Sequence, residues 1–98
     1  MDLEELFESK GRFRILRFLL KEGQANISRI IRETKLPYRL VKAHLDRLVE
    51  LGIVHEHTYG RLRLYEVNLG DPRINATRKL LEELERLWSG VDNEERHG

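Results

Sequence analysis

The strongest constraint on this chain is the stretch from Leu36 to Gly52, LPYRLVKAHLDRLVELG, which reads as one amphipathic helix with a signal at each end. Pro37 has a fixed φ and no amide proton to lose, so it suits the first position of a helix. Gly52 can take the left-handed conformation that ends one. Between them Val41, Leu45 and Leu48 recur at spacings of four and three, with Leu40, His44 and Leu51 beside them, which makes one apolar stripe. The face left over carries Tyr38, Arg39, Lys42, Ala43, Asp46 and Arg47. Its basic and aromatic side chains cluster in the first two turns.

The length of 98 residues suits one domain with a modest core. There is no run of eighteen apolar residues and no signal-peptide pattern, so the expectation is a soluble, cytoplasmic, nucleoid-associated protein with no membrane partner. Zero cysteines exclude disulfides, thiolate metal sites and cysteine catalysis together. Charged residues at 36% with a single Gln lean towards a thermophilic source. The net charge of +1 hides an asymmetry. Lys10 to Arg63 holds thirteen Lys/Arg against five Asp/Glu, and the remainder five against twelve, so a middle of +8 lies between ends summing to −7. A basic middle of this kind suits contact with a polyanion.

Taken in order, Asp2 to Ser9 is a short helical pattern with Leu3, Leu6 and Phe7 on one side. Gly11 interrupts it, and Arg12 to Lys21 resumes with Phe13, Leu16, Leu19 and Leu20 inward, until Gly23. Gln24 to Asn26 has room for a bridge strand only, and Asn26 suits the N-cap of a third helix running from Ile27 to about Thr34. That helix buries Ile27, Ile30 and Ile31 and leaves Arg29 and Arg32 outside. A break at Thr34 to Leu36 leads into the helix described first. Two short helices joined by about three residues, the second longer and basic at its start, make a helix-turn-helix pattern.

After Gly52 the period changes to that of strands. Ile53 to Thr58 and Arg61 to Leu69 form a hairpin around a Tyr59-Gly60 turn, with Leu62, Leu64, Tyr65, Val67 and Leu69 apolar on the return strand. Such a hairpin straight after the basic helix is a wing. Asp71-Pro72 marks the start of a last helix, running to about Trp88, and Val91 to Gly98 is expected to fray. The expected fold is mainly α with a small β-hairpin wing, in the order α-α-β-α-α-β-β-α. Residues 1–70 would form the DNA-binding domain, 71–89 a dimerisation helix and 90–98 a flexible tail.

Three segments carry a family resemblance. GRFRILRFLLKEG, LVKAHLDRLVELGIV and GRLRLYEVN resemble the second helix, the recognition helix and the wing of ArsR-like winged helix-turn-helix transcription regulators. The resemblance covers roughly Leu6 to Asn68 and implies double-stranded DNA as partner and transcription regulation as role. It departs from the family in three places. The metal-sensing cysteine pairs are absent, a small residue inside the third helix is replaced by Ile31, and the turn glycine by Lys35. A left-handed Lys35 would cost on the order of 1 kcal/mol.

Tyr38, Arg39 and Lys42 are the expected base contacts, since an Arg can bond guanine twice and a Tyr can reach a base edge or a phosphate. Arg29, Arg32, Arg47, Arg61 and Arg63 are the expected backbone contacts. Asp46 should mark where groove contact stops. His55 and His57 could chelate a metal, but lack a convincing third ligand, and His44 reads as a packed histidine. No metal, cofactor or active site is expected, and any small-molecule effector stays unknown. Ile74, Thr77, Leu81, Leu84 and Trp88, broadened by Leu80 and Leu87, form an apolar stripe at spacings of three and four. With Leu3, Leu6 and Phe7 it is expected to face a second copy in a homodimer. Two other roles stay open: a general chromatin-like or replication DNA binder, and a winged-helix module that binds protein.

Overall fold

The computed structural model describes residues 9–97. It contains α1 (Lys10–Glu22), β1 (Gln24–Asn26), α2 (Ile27–Thr34), α3 (Tyr38–Glu50), β2 (Val54–Tyr59), β3 (Leu62–Val67) and α4 (Pro72–His97). The chain divides into two compact units, parting between Asn68 and Leu69. The expected helix before α1, with Leu3, Leu6 and Phe7, lies outside the described residues.

In the first unit, α1, α2 and α3 pack together and against a three-stranded antiparallel sheet ordered β1-β3-β2. Ile15, Leu16 and Leu19 of α1, Ile30 of α2, and Val41, Leu45 and Leu48 of α3 are all buried, as are Ala25, Ile53, Val54, Tyr65 and Val67. Full burial of a branched aliphatic side chain contributes about 1.5–3 kcal/mol, so the stripe on α3 alone ties that helix firmly to the core. Ile15 and Thr34 belong to this core although the spacing did not mark them. Thr34 is accommodated because its hydroxyl donates to the Ile30 carbonyl at 2.6 Å.

Several boundaries differ from the sequence reading for identifiable reasons. Helix α1 starts at Lys10, so Gly11 lies inside it, because Ser9 caps the helix by accepting the Arg12 amide at 3.2 Å. Pro37 is the residue before the first helical position of α3, with extended ψ of 150°. Leu40 is 48% exposed, since it sits about a quarter-turn away from the buried stripe. The hairpin loop is Gly60-Arg61, because Tyr59 pairs with Leu62. Gly60 has φ of +62° and Arg61 does not share the positive φ, the pattern of a two-residue loop with glycine first. Leu62 and Leu69 are exposed rather than packed, Leu62 because the hairpin tip projects beyond the core and Leu69 because it lies past the end of β3. The wing is closed at its base by the Asn68 amide on the Ile53 carbonyl at 2.8 Å, and by Asn68 Nδ2 on the Gly52 carbonyl at 3.0 Å.

In the second unit, Asp71 Oδ1 accepts the Arg73 amide at 2.8 Å, and the Arg73 guanidinium holds the same carboxylate. These two contacts keep the Asp71 carboxyl down at about 2. Helix α4 does not end near Trp88 but reaches His97, running through Gly90. A single glycine weakens a helix by about 1 kcal/mol without obliging it to stop.

The turn between α2 and α3 is built without glycine. Lys35 is left-handed, with φ of 59° and ψ of 28°, and donates its amide to the Ile31 carbonyl at 2.8 Å. Arg14 Nη1 donates to the Thr34 carbonyl at 2.9 Å and so satisfies a helix-end acceptor from outside the helix. Lys35→Gly should therefore raise stability by about 0.5–1 kcal/mol, the relief of a left-handed side chain less the extra entropy of glycine. A urea midpoint that does not rise in the variant would contradict this account of the turn.

Candidate nucleic-acid interface

Because Val41, Leu45 and Leu48 point into the core, the opposite side of α3 is held outward by packing. Arg39 lies near the centre of that side, one turn before Ala43, and Tyr38 is 57% exposed beside it. Pro37, Arg39, Leu40 and Ala43 line a shallow recess there. An exposed guanidinium beside apolar Leu40 and Ala43 supplies donors for the guanine acceptors and apolar surface for the thymine methyl of a major groove. Leu40 joins the candidate site rather than the shoulder of the apolar stripe, and its angular offset from Val41 is the sequence signal for that.

Ion pairing sorts the seven basic residues among the eight that the sequence singles out. Lys42 is bound within its own helix, Nζ to Asp46 Oδ1 at 2.9 Å, and this contact raises its pKa. Asp46 thus neutralises Lys42 rather than simply marking an edge. Arg47 pairs with Glu50 at 2.9 Å and Arg63 with Glu56 at 3.1 Å. Arg29 pairs with Glu22 at 2.9 Å and lies over the Phe18 ring at 5.6 Å, so it is half-buried rather than outside. Arg32, Arg39 and Arg61 are exposed and pair with no carboxylate among the described residues. Arg61 occupies the hairpin loop itself and Arg32 the outer face of α2.

The histidines take separate roles. His57 Nε2 lies 3.8 Å from Glu66 Oε1, and the rings of His55 and His57 are 6.1 Å apart. Among the described residues no three His, Cys, Asp or Glu groups gather as metal ligands. His44, in contrast, joins α3 to the start of α1. Arg12 Nε donates to His44 Nδ1 at 3.4 Å, which leaves Nε2 to donate to Ser9 Oγ at 3.3 Å. Gly11 permits this approach, since a Cβ there would lie 3.2 Å from His44 Nε2. The arrangement requires a neutral imidazole, and burial, then the Arg12 charge, lowers the His44 pKa.

The sign of the pH effect follows. With its folded pKa below the ordinary 6.5, His44 binds a proton more readily when the chain unfolds. Its contribution is present above that ordinary value and is lost as pH falls through it towards the folded value. Urea midpoints at about pH 7.5 and about pH 5 should differ more for the unmodified protein than for His44→Gln. Equal differences would show that the clasp to α1 does not discriminate the protonation states.

Comparison with known proteins fits this geometry. The family model described as "Winged helix-turn-helix DNA-binding" matches residues 12–55. No curated protein matches the sequence. Among solved structures, the transcriptional repressor PagR of Bacillus anthracis is 26% identical with a TM-score of 0.67, over 79% of this chain and 85% of PagR. An E. coli protein described as a predicted DNA-binding transcriptional regulator is 21% identical with a TM-score of 0.72, over 84% of each chain. Reduced HlyU of Vibrio cholerae is 21% identical with a TM-score of 0.71, over 84% of this chain and 83% of HlyU. No helix among the described residues is long and apolar enough to cross a membrane. The chain therefore has the winged helix-turn-helix fold, and its sequence matches the DNA-binding family of that name from Arg12 to His55.

Proposed function

We propose that this protein is a sequence-specific, homodimeric binder of double-stranded DNA that regulates transcription at the nucleoid. The observation that carries the reading is Arg39. It is an exposed guanidinium with no carboxylate partner among the described residues, at the start of the second helix of the motif and beside an apolar recess. Tyr38 flanks it, and Lys42 can join once phosphate competes with Asp46. Arg61 at the wing tip and Arg32 on α2 supply backbone contacts, with Arg29, Arg47 and Arg63 held as ion pairs nearby. PagR, to which the chain is similar, is a transcriptional repressor. An ArsR-like affiliation rests on the three segments quoted above and comes without that group's metal-sensing cysteines.

The dimer reading rests on α4. Leu80, Leu87 and Trp88 are 50%, 51% and 63% exposed, with Leu84 at 36%, while Thr77 and Leu81 are half-buried and Ile74 is already buried. Apolar side chains recurring at 80, 84 and 87 form a contiguous strip of a kind that soluble monomers rarely leave to water. A second copy laid along it would cover the strip and set two α3 helices on one palindromic site. Light scattering at micromolar concentration should give twice the chain mass for the intact protein and less after truncation behind Leu69. A monomeric intact chain would remove the dimer from the account.

Salt titrations of binding separate residues that read DNA from those that hold it. Arg39→Ala should cost about 1–3 kcal/mol on a preferred duplex and much less on a scrambled one. Arg61→Ala should weaken both alike and lower the salt slope by about one unit per bound subunit. Equal losses on both duplexes for Arg39→Ala would make the general DNA binder the better reading. No change in either variant would favour a protein partner.

A further inference from the structure

Helix α1 carries a second basic surface. Lys10, Arg14, Arg17 and Lys21 recur at spacings of four, three and four, and all four are exposed. At about 100° per residue they fall within an arc of about 60°, and the row is about 16 Å long. The arc lies opposite Ile15, Leu16 and Leu19, which face the core. It also turns away from Gly11 and Arg12, the part of α1 that meets His44 of α3. The side of α1 that meets α3 is therefore not the side that carries this row.

Two members of the row carry charge that no carboxylate among the described residues balances. Lys10 and Arg17 pair with no carboxylate among the described residues. Arg14 donates to a neutral carbonyl, which leaves its charge in place. Glu22, next along the chain, is held by Arg29 on the adjoining helix at 2.9 Å. Glu33 is the carboxylate that lines the neighbouring groove with Arg14, Arg17 and Lys21.

The chemistry of the row selects among partners. A stable protein interface centres on anchors in a well-packed, desolvated pocket with charge depleted at its core, whereas these four positions are all exposed and all cationic. A single strand would need an aromatic platform for its bases, and the rings that flank the row, Phe13 and Phe18, are both half-buried, Phe18 beneath the Arg29 guanidinium at 5.6 Å. A row of flexible cations without readers of bases suits the phosphate backbone of a duplex, which carries one charge per about 3.4 Å along each strand. We propose that the outer face of α1 binds the phosphate backbone of a second DNA duplex, so that one protein holds two duplexes together. The inference rests on the reading in which α3 and the wing occupy the first duplex.

The test uses the intact protein and the variant Lys10→Gln/Arg17→Gln/Lys21→Gln, whose exposed positions should leave the thermal midpoint unchanged. Anisotropy with dilute labelled duplex measures the first contact. Capture of a labelled scrambled duplex by a protein-saturated immobilised duplex measures the second. The variant should bind single duplex within about twofold of the unmodified protein and lose capture by about tenfold or more. Capture that persists in the variant would overturn the proposal, since two copies would then be holding the duplexes through their α3 helices. Parallel loss in both measurements would overturn it too, by placing the row on the first duplex. An unmodified protein that binds one duplex and captures no second would end this inference alone. Failure to bind any duplex would instead end the function on which it rests.

Discussion

Val41, Leu45 and Leu48 are fully buried along one side of α3, and that burial decides the orientation of everything on the other side. The three side chains meet Ile15, Leu16 and Leu19 of α1, Ile30 of α2 and the inner residues of the sheet in one core. Rotating α3 to present a different face would bring these residues into water at about 1.5–3 kcal/mol each. Arg39 and Ala43 are outward for that reason, and the wing follows because Ile53 and Val54, immediately after α3, are themselves anchored in the core. The hairpin tip then extends beyond the packed layer, which is why Tyr59, Arg61 and Leu62 are exposed.

Electrostatics acts within this frame by choosing which cations remain available. A middle region of +8 contains thirteen basic side chains, yet carboxylates neutralise a share of them locally. Lys42, Arg47, Arg63 and Arg29 each have a carboxylate within about 3 Å, so binding phosphate through them requires an exchange of partners. These pairs are half-exposed and individually weak, and DNA can displace them at small cost. Arg39, Arg32 and Arg61 need no such exchange, and neither do Lys10 and Arg17 on α1. The charge available to a polyanion is thus divided between two faces of the small unit.

The arrangement of helices, short strand and wing was legible because each element carries its own local signal. The stripe at 41, 45 and 48, the Asn26 cap and the strand-helix change after Gly52 each translate directly into backbone. Boundaries were less legible where two residues competed for one task. Ser9 captured the start of α1 from Gly11, and pairing of Tyr59 with Leu62 moved the hairpin loop by one residue. The outward position of Arg39 was readable from helical spacing, whereas Tyr38 shares the spacing of the buried stripe and is exposed because it opens the helix. The freedom of Arg39 from ion pairs was not readable, since it depends on which carboxylates other elements bring close. The same holds for the clasp among Ser9, Arg12 and His44, in which His44 lies more than thirty residues from the other two in the chain. The row on α1 has a clear spacing signal of its own, at 10, 14, 17 and 21, opposite the apolar one.

The central claim is that the outward side of α3 meets DNA through its first two turns. Amide shift mapping by NMR, with a palindromic duplex titrated into the labelled protein, tests it most directly. The account predicts that the largest early shifts fall on Tyr38, Arg39, Leu40 and Ala43, with a second group around Gly60 and Arg61 at the wing tip. Shifts confined to α1, or spread evenly over all basic residues with α3 unaffected, would contradict it.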